Sequence, residues 1–226
     1  MEKLSNKYDV VIVGAGPTGV TAANYLGLMG IKTLIVDREA DILRIPRAIG
    51  LCDEGSRVLQ GTGLLDEISV GLPELETGKM TSSSAGTFLN VNLNEKLNGH
   101  HRLRTIKQPD VEEILRNGLD RFPHVTLLTS TEMESFIDKG TEVTIDLNID
   151  GKKKTISTRY LMASDGARSP VREQLGISLR GKTYGQDWLV IDVFNDPKPD
   201  LIAEFNCDYD RPSVTLPAPN GGRRWE

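Results

Sequence analysis

The chain has 226 residues, 38% hydrophobic and 26% charged, with a formal net charge of −5. That length buries a real core and corresponds to one large or two small domains. The acidic balance argues against a concentrated basic face, so no nucleic acid is expected as a partner.

Cys52 and Cys207 are the only cysteines. Two thiols cannot build a disulfide framework, which points to a reducing, cytoplasmic setting. The first apolar run is cut by Gly14 after four residues. A secretory core needs about 7–15 apolar residues and a membrane span about 20, so no membrane association is expected. His100, His101 and His124 do not fall at a metal-ligand spacing, so surface or packing roles and no metal are expected. The basic tracts Lys152–Lys154 and Arg223-Arg224 read as solvated turns.

Tyr8 to Val13 reads as a fully buried strand, because the run is β-branched and does not alternate. Pro17 then sits where a first helical turn tolerates a missing N–H. A helix follows over Thr18–Met29, with Gly30 as its C′ residue. Lys32 to Val36 is a second buried strand, ending at Asp37. This is a complete β-α-β unit.

Residues 53–68 read as a helix loosened by glycines. Residues 69–102 weaken into short alternating pieces, which suggests strands of a second unit inserted into the first. Asp110 to Arg121 reads as a helix whose start resembles a capping box, with Asp110 and Glu113 three apart. Val125 to Thr129 is another strand. TEMESFI, EVTIDLNI and TISTRYLMAS, separated by the turns DKG and DGKK, form an antiparallel meander. It feeds into DGARS and a short helix, PVREQLG. The last stretch returns to strands (WLVIDVF, LIAEFN, SVTLPA) and ends as another strand begins.

The segment VVIVGAGPTG carries Gly14, Gly16 and Gly19 as G-x-G-x-x-G. A strand, a glycine turn and a helix N-terminus make an anion site, because unpaired N–H groups and the positive helix end point at the turn. Gly14 permits the tight turn, Gly16 the approach of a pyrophosphate, and Gly19 close packing of helix on strand. Asp37 lies 23 residues after Gly14, where a carboxylate can accept ribose hydroxyl hydrogens. These residues read as a cradle for the ADP half of a dinucleotide and do not choose flavin over nicotinamide. The second strand-to-helix segment, YLMASDGARSPVREQLGI, has two readings. Asp165 and Gly166 either face a polar ligand, or form an Asp-Gly turn with Ser169 as an N-cap. Spacing alone does not decide between them.

Taken with PRAIGLCDEGSRVLQGTGL, QPDVEEILR, WLVIDVFND and RPSVTLPAPNGGRRWE, these segments make the sequence resemble a known family. It is similar to the single-component flavoprotein aromatic hydroxylases of the para-hydroxybenzoate hydroxylase fold, and most to 3-(3-hydroxyphenyl)propionate hydroxylase-like members. The resemblance implies an α/β fold, with a Rossmann-like FAD-binding domain carrying the antiparallel β-meander and a partial mixed β-sheet substrate domain. Residues 1–70 and 103–178 would form the FAD-binding domain, 71–102 an inserted substrate-domain segment, and 179–226 a truncated part of the substrate domain.

By the same resemblance Gly14, Gly16, Pro17, Thr18 and Gly19 hold the FAD pyrophosphate, Asp37 its ribose, and Arg38 lies beside the adenosine. Arg47 approaches the phosphate or flavin side, Gln108 reaches the cofactor, and Asp165 and Gly166 serve both FAD and the NADPH or NADH co-substrate. Ser169 and Arg172 support that loop. The implied reaction is hydroxylation of a small aromatic substrate by O2 through a flavin C4a-hydroperoxide, in a protein free to self-associate. No catalytic acid or base is identified; Tyr184, Trp188 and Tyr209 read as packing residues. The rival readings are a flavin or nicotinamide dehydrogenase and a non-catalytic nucleotide-binding module. The family's later Gly-Asp flavin motif is not found: Asp187, Asp192 and Asp208 lack the preceding glycine. The expectation is therefore an N-terminal fragment, inactive alone.

Overall fold

A computed structural model describes residues 4–198 and 200–226. The chain forms two compact units, one from the segment up to Arg44 with Pro109–Gly181, the other from Ile45–Gln108 with Lys182–Glu226.

The first unit is built on one six-stranded sheet. Its strands, in spatial order, are Thr131–Asp138, Val143–Ile149, Lys152–Ala163, Lys7–Val13, Thr33–Val36 and Val125–Leu128. The first three are the antiparallel meander. The last three and Lys152–Ala163 run parallel. Lys152–Ala163 serves both halves: residues 152–158 pair with Val143–Ile149, and residues 157–163 pair with Lys7–Val13. Asp150 and Gly151, in the turn before it, both have positive φ (49° and 80°), as a two-residue hairpin of type I′ requires. Val11, Val13, Leu34, Val36, Ile145, Leu147 and Ile156 are buried together in its core.

Pro17–Leu28 is a helix whose end follows the expected glycine stop. The Ile31 N–H donates to the Leu26 carbonyl and the Gly30 N–H to the Gly27 carbonyl, at 3.0 and 3.1 Å, which satisfies two otherwise orphaned carbonyls. The later helix differs from the sequence reading. It starts at Gln108, ends at Asn117, and gives way to a 3₁₀ turn over Gly118–Arg121. Pro109 suits a first helical turn, so Asp110 lies inside the helix. Glu113 reaches Arg44 at 2.7 Å instead of closing a capping box.

The second unit carries a mixed sheet. Its order is Ile191–Val193, Gly222–Trp225, Ser213–Ala218, Ile202–Asn206, Thr77–Ser82, Gly86–Asn92. Ile202–Asn206 and Thr77–Ser82 are parallel, and the other neighbours antiparallel. Residues 45–70 fall in this unit, because Gly50–Cys52 pairs with Leu103–Thr105. The stretch read as helix over 53–68 is two helices, Asp53–Gly61 and Leu65–Ile68, parted at Gly63 with φ 76°. Leu75, Ala203 and Leu216 centre the core, flanked by Ile49, Leu93, Leu103 and Val214. The WLVIDVF segment pairs only over Ile191–Val193.

Two expectations fail here. Tyr184, Trp188 and Tyr209 are exposed, not packed. Arg223 and Arg224 are not a solvated turn: they are 3% and 1% exposed. Arg224 holds both carboxylate oxygens of Asp192, and Arg223 holds Asp196 and Asp200. A buried guanidinium needs such partners, and these lie 23 to 32 residues away in sequence, beyond any local pattern.

Candidate cofactor site

In the first unit's sheet, Val13 is level with Val36 on one side and Ala163 on the other. The residues that follow, Gly14, Asp37 and Ser164-Asp165, therefore leave the same carboxyl edge. The Gly14 N–H donates to the Val36 carbonyl and the Ser164 N–H to the Val13 carbonyl, both at 2.8 Å. This edge is where open α/β sheets place their ligands.

The three glycines are there for different reasons. A Cβ on Gly14 would stand 2.3 Å from the Ser164 carbonyl oxygen, and Gly14 has φ +99°. A Cβ on Gly19 would stand 1.9 Å from the Gly14 carbonyl oxygen. The protein's own packing therefore demands both. Gly16 is different: its φ is −74°, which any residue adopts, and a Cβ there meets nothing within 4 Å. Nothing in the chain itself requires glycine at this position. Space kept open beside a helix N-terminus is what a pyrophosphate needs, so the turn fits the cofactor half that the sequence suggests.

The helix end supports that fit. Gly16 is the N-cap of Pro17–Leu28, no side chain caps it, and no acid lies in its first turn. Its leading N–H groups and positive end are left for an anion. Pro17 and Thr18 are exposed beside it. Asp37 is half-buried, and its Oδ2 accepts the Ala15 N–H at 2.7 Å while Oδ1 accepts the Glu39 N–H at 2.9 Å. Each carboxylate oxygen retains capacity for a second donor. Arg38 is exposed and pairs with Glu39 at 3.3 Å.

At the second turn, the Asp165 Oδ2 accepts the Val171 N–H at 3.1 Å and the Ser169 Oγ accepts the Arg172 N–H at 3.0 Å. Both side chains thus serve the N-terminus of Pro170–Gln174, as the capped-turn reading requires. Gly166 has φ +79°, and Arg172 braces the turn through the Ala167 carbonyl at 2.7 Å.

In the second unit Gln108 is buried, and its Oε1 accepts the Ala48 N–H at 2.9 Å. The Arg47 side chain is exposed, but its backbone is held. Arg224 donates to the carbonyls of Pro46 and Arg47, at 2.8 and 3.1 Å. Sequence reading missed both Arg224 and Arg116. Arg116 donates from Nη2 to the Ala15 carbonyl at 2.9 Å, across 101 residues of chain. Its sequence signals are its place on the helix that begins at Gln108 and in the QPDVEEILR segment, and neither shows that it reaches the glycine turn. Among the described residues no cluster of three or more His, Cys, Asp or Glu could hold a metal.

Residues 7–212 match the family described as the FAD binding domain. The chain belongs to that family. This FAD-binding chain is 36% identical over 219 residues to the 3-(3-hydroxy-phenyl)propionate/3-hydroxycinnamic acid hydroxylase of Comamonas testosteroni, covering 96% of the chain and 37% of that protein. With the hydroxylase of the same name from Burkholderia cenocepacia it shares 38% over 222 residues, covering 98% of the chain and 41% of the relative. The chain thus spans about two fifths of the length of these curated relatives. The fold matches p-nitrophenol 4-monooxygenase from Pseudomonas putida with TM-score 0.89 at 22% identity, over 98% of this chain and 57% of that one. It also matches the flavin-dependent monooxygenase PieE, solved with FAD and substrate, with TM-score 0.81 at 21% identity, over 97% and 42%.

Proposed function

We propose that the protein to which this FAD-binding chain belongs is an NAD(P)H-using monooxygenase that hydroxylates a phenolic or similar aromatic compound in the cytoplasm. The observation that carries this reading is the 38% identity, over 222 residues drawn from both units, to a protein named as a hydroxylase of hydroxyphenyl substrates. Two exposed, unpaired cysteines suit a reducing compartment. Among the described residues no helix is long and apolar enough to cross a membrane.

FAD, when bound, supplies the redox chemistry, accepting hydride from NAD(P)H and activating O2. The chain's own residues bind and orient it. Gly14, Gly16, Pro17, Thr18 and Gly19 form the pyrophosphate cradle, with the uncapped N–H groups as donors. Asp37 takes the ribose hydroxyls with the lone pairs its two backbone bonds leave free, and Arg38 lies beside the adenosine. Asp165 and Gly166 shape the neighbouring turn, which serves FAD and NAD(P)H. The family resemblance also assigns Arg47 and Gln108 to cofactor binding. The first unit is the FAD-binding part and the mixed sheet the start of the substrate part.

The test is to express the full reading frame that contains this chain with FAD. NAD(P)H oxidation and O2 uptake are then followed with a panel of phenols. Oxidation stimulated by a phenol, with a hydroxylated product, is expected. No stimulation by any phenol would overturn the activity. The 226-residue chain alone is expected to hold FAD weakly; stoichiometric, tightly bound yellow flavin would contradict that.

A further inference from the structure

The geometry assigns to Arg116 a positioning role in the nucleotide cradle: it fixes the Ala15–Gly16 peptide so that the Gly16 N–H faces the anion. The inference rests on the FAD-cradle reading and adds to it the residue that sets the cradle's polarity.

The glycine turn's two central peptides are held from opposite directions. Asp37 Oδ2 accepts the Ala15 N–H at 2.7 Å, which turns the Gly14 carbonyl the other way, onto Gly19. Arg116 Nη2 donates to the Ala15 carbonyl at 2.9 Å. A trans peptide is planar, with its C=O and N–H antiparallel. Fixing the Ala15 oxygen on Arg116 therefore aims the Gly16 N–H away from Arg116. Among the described residues no acceptor takes that N–H, and the space beside Gly16 is open.

The Arg116 side chain is 11% exposed, its Nε is buried without a partner, and its nearest acid, Glu112, stands at 3.8 Å. Asp41 acts on it from further away. A buried guanidinium with an unmet donor is costly. Here it is kept against the carbonyl of the turn's central residue. A carbonyl pointing into the cradle would repel a phosphate; a carbonyl tied to a cation points away, and the cation's charge also favours the anion. Asp37 and Arg116 together make one turn present donors only.

The test uses the 226-residue chain with ADP as the probe, followed by amide ¹H–¹⁵N spectra. In the wild type, ADP is expected to shift the Gly16 amide. Arg116→Met should weaken ADP about tenfold, the loss of one charge-assisted hydrogen bond. It should also move the Gly16 amide resonance in the free protein. Arg116→Lys, which keeps a cationic donor, should recover most of the affinity. Arg121→Met is the control: it removes bonds to the Gly118 carbonyl and Asn24, away from the turn, and should lower stability without changing ADP affinity. Wild-type affinity in Arg116→Met, with the Gly16 amide unmoved, would overturn the positioning role and leave the cradle reading standing. A wild-type chain that shows no ADP response at all would overturn both.

Discussion

Asp37 accepts the Ala15 N–H at 2.7 Å, so the acid that ends the second strand is wired directly into the glycine turn that ends the first. Its other oxygen holds the Glu39 N–H at 2.9 Å. Asp37→Ala leaves two backbone donors unmet and is expected to cost about 1–3 kcal/mol. Asp37→Asn, which keeps one acceptor, should cost less. Urea unfolding checks both; a loss below the error of the method in Asp37→Ala would show that the wiring adds nothing.

The three glycines should separate by experiment. Gly19→Ala drives a Cβ to 1.9 Å from a backbone oxygen, and Gly14→Ala combines a 2.3 Å clash with a positive φ. Each is expected to lose more than about 4 kcal/mol or fail to fold. Gly16→Ala should fold within about 1 kcal/mol of wild type, a small N-cap effect, and lose affinity for ADP. A Gly16→Ala protein that unfolds like Gly19→Ala would mean that the position serves packing.

Arg224 is 1% exposed and joins Asp192, Pro46 and Arg47 within the second unit. Arg224→Met strands two carbonyls and a carboxylate and is expected to cost about 2–4 kcal/mol, toward the lower end because Asp192 is partly exposed and can hydrate. The double variant Arg224→Met/Asp192→Asn should be more stable than the Arg224→Met single variant. Stability equal to or below that of the single variant would argue against the pair.

The Asp146 carboxyl is held below its ordinary value of 3.8, chiefly by the Thr155 hydroxyl and then by the Ser135 hydroxyl. A depressed carboxylate contributes stability above its unfolded pKa and loses it as pH falls through the folded pKa. Asp41, Asp196 and Asp208 are lowered in the same direction. Stability should therefore decline below about pH 4, and Asp146→Asn should make that decline shallower. Unfolding midpoints between about pH 5 and pH 2 check this; parallel curves would remove Asp146 from the account.

Much of the first unit was legible because its signals are local. Val11 to Val13 and Leu34 to Val36 are unbroken apolar runs, Gly30 stops a helix, and Asp150-Gly151 makes a hairpin. The helix that begins at Gln108 shows its start in the sequence two residues late, because Asp110 with Glu113 imitates a capping box while Pro109 already occupies the first turn. Arg223 and Arg224 mislead in the sequence because charge next to charge looks solvated, and their acids arrive from another part of the chain.

By itself the sequence determined the strand–glycine turn–helix, the acid at the end of the second strand and the second strand-to-helix turn, since each is set by neighbouring φ/ψ preferences and apolar runs. Only the tertiary structure decided the rest. Parallel register put Gly14, Asp37 and Asp165 on one edge, packing showed that Gly14 and Gly19 serve the protein while Gly16 leaves space free, and Arg116 reached the turn across 101 residues. Such partnerships depend on distance in space, and a linear pattern does not carry it.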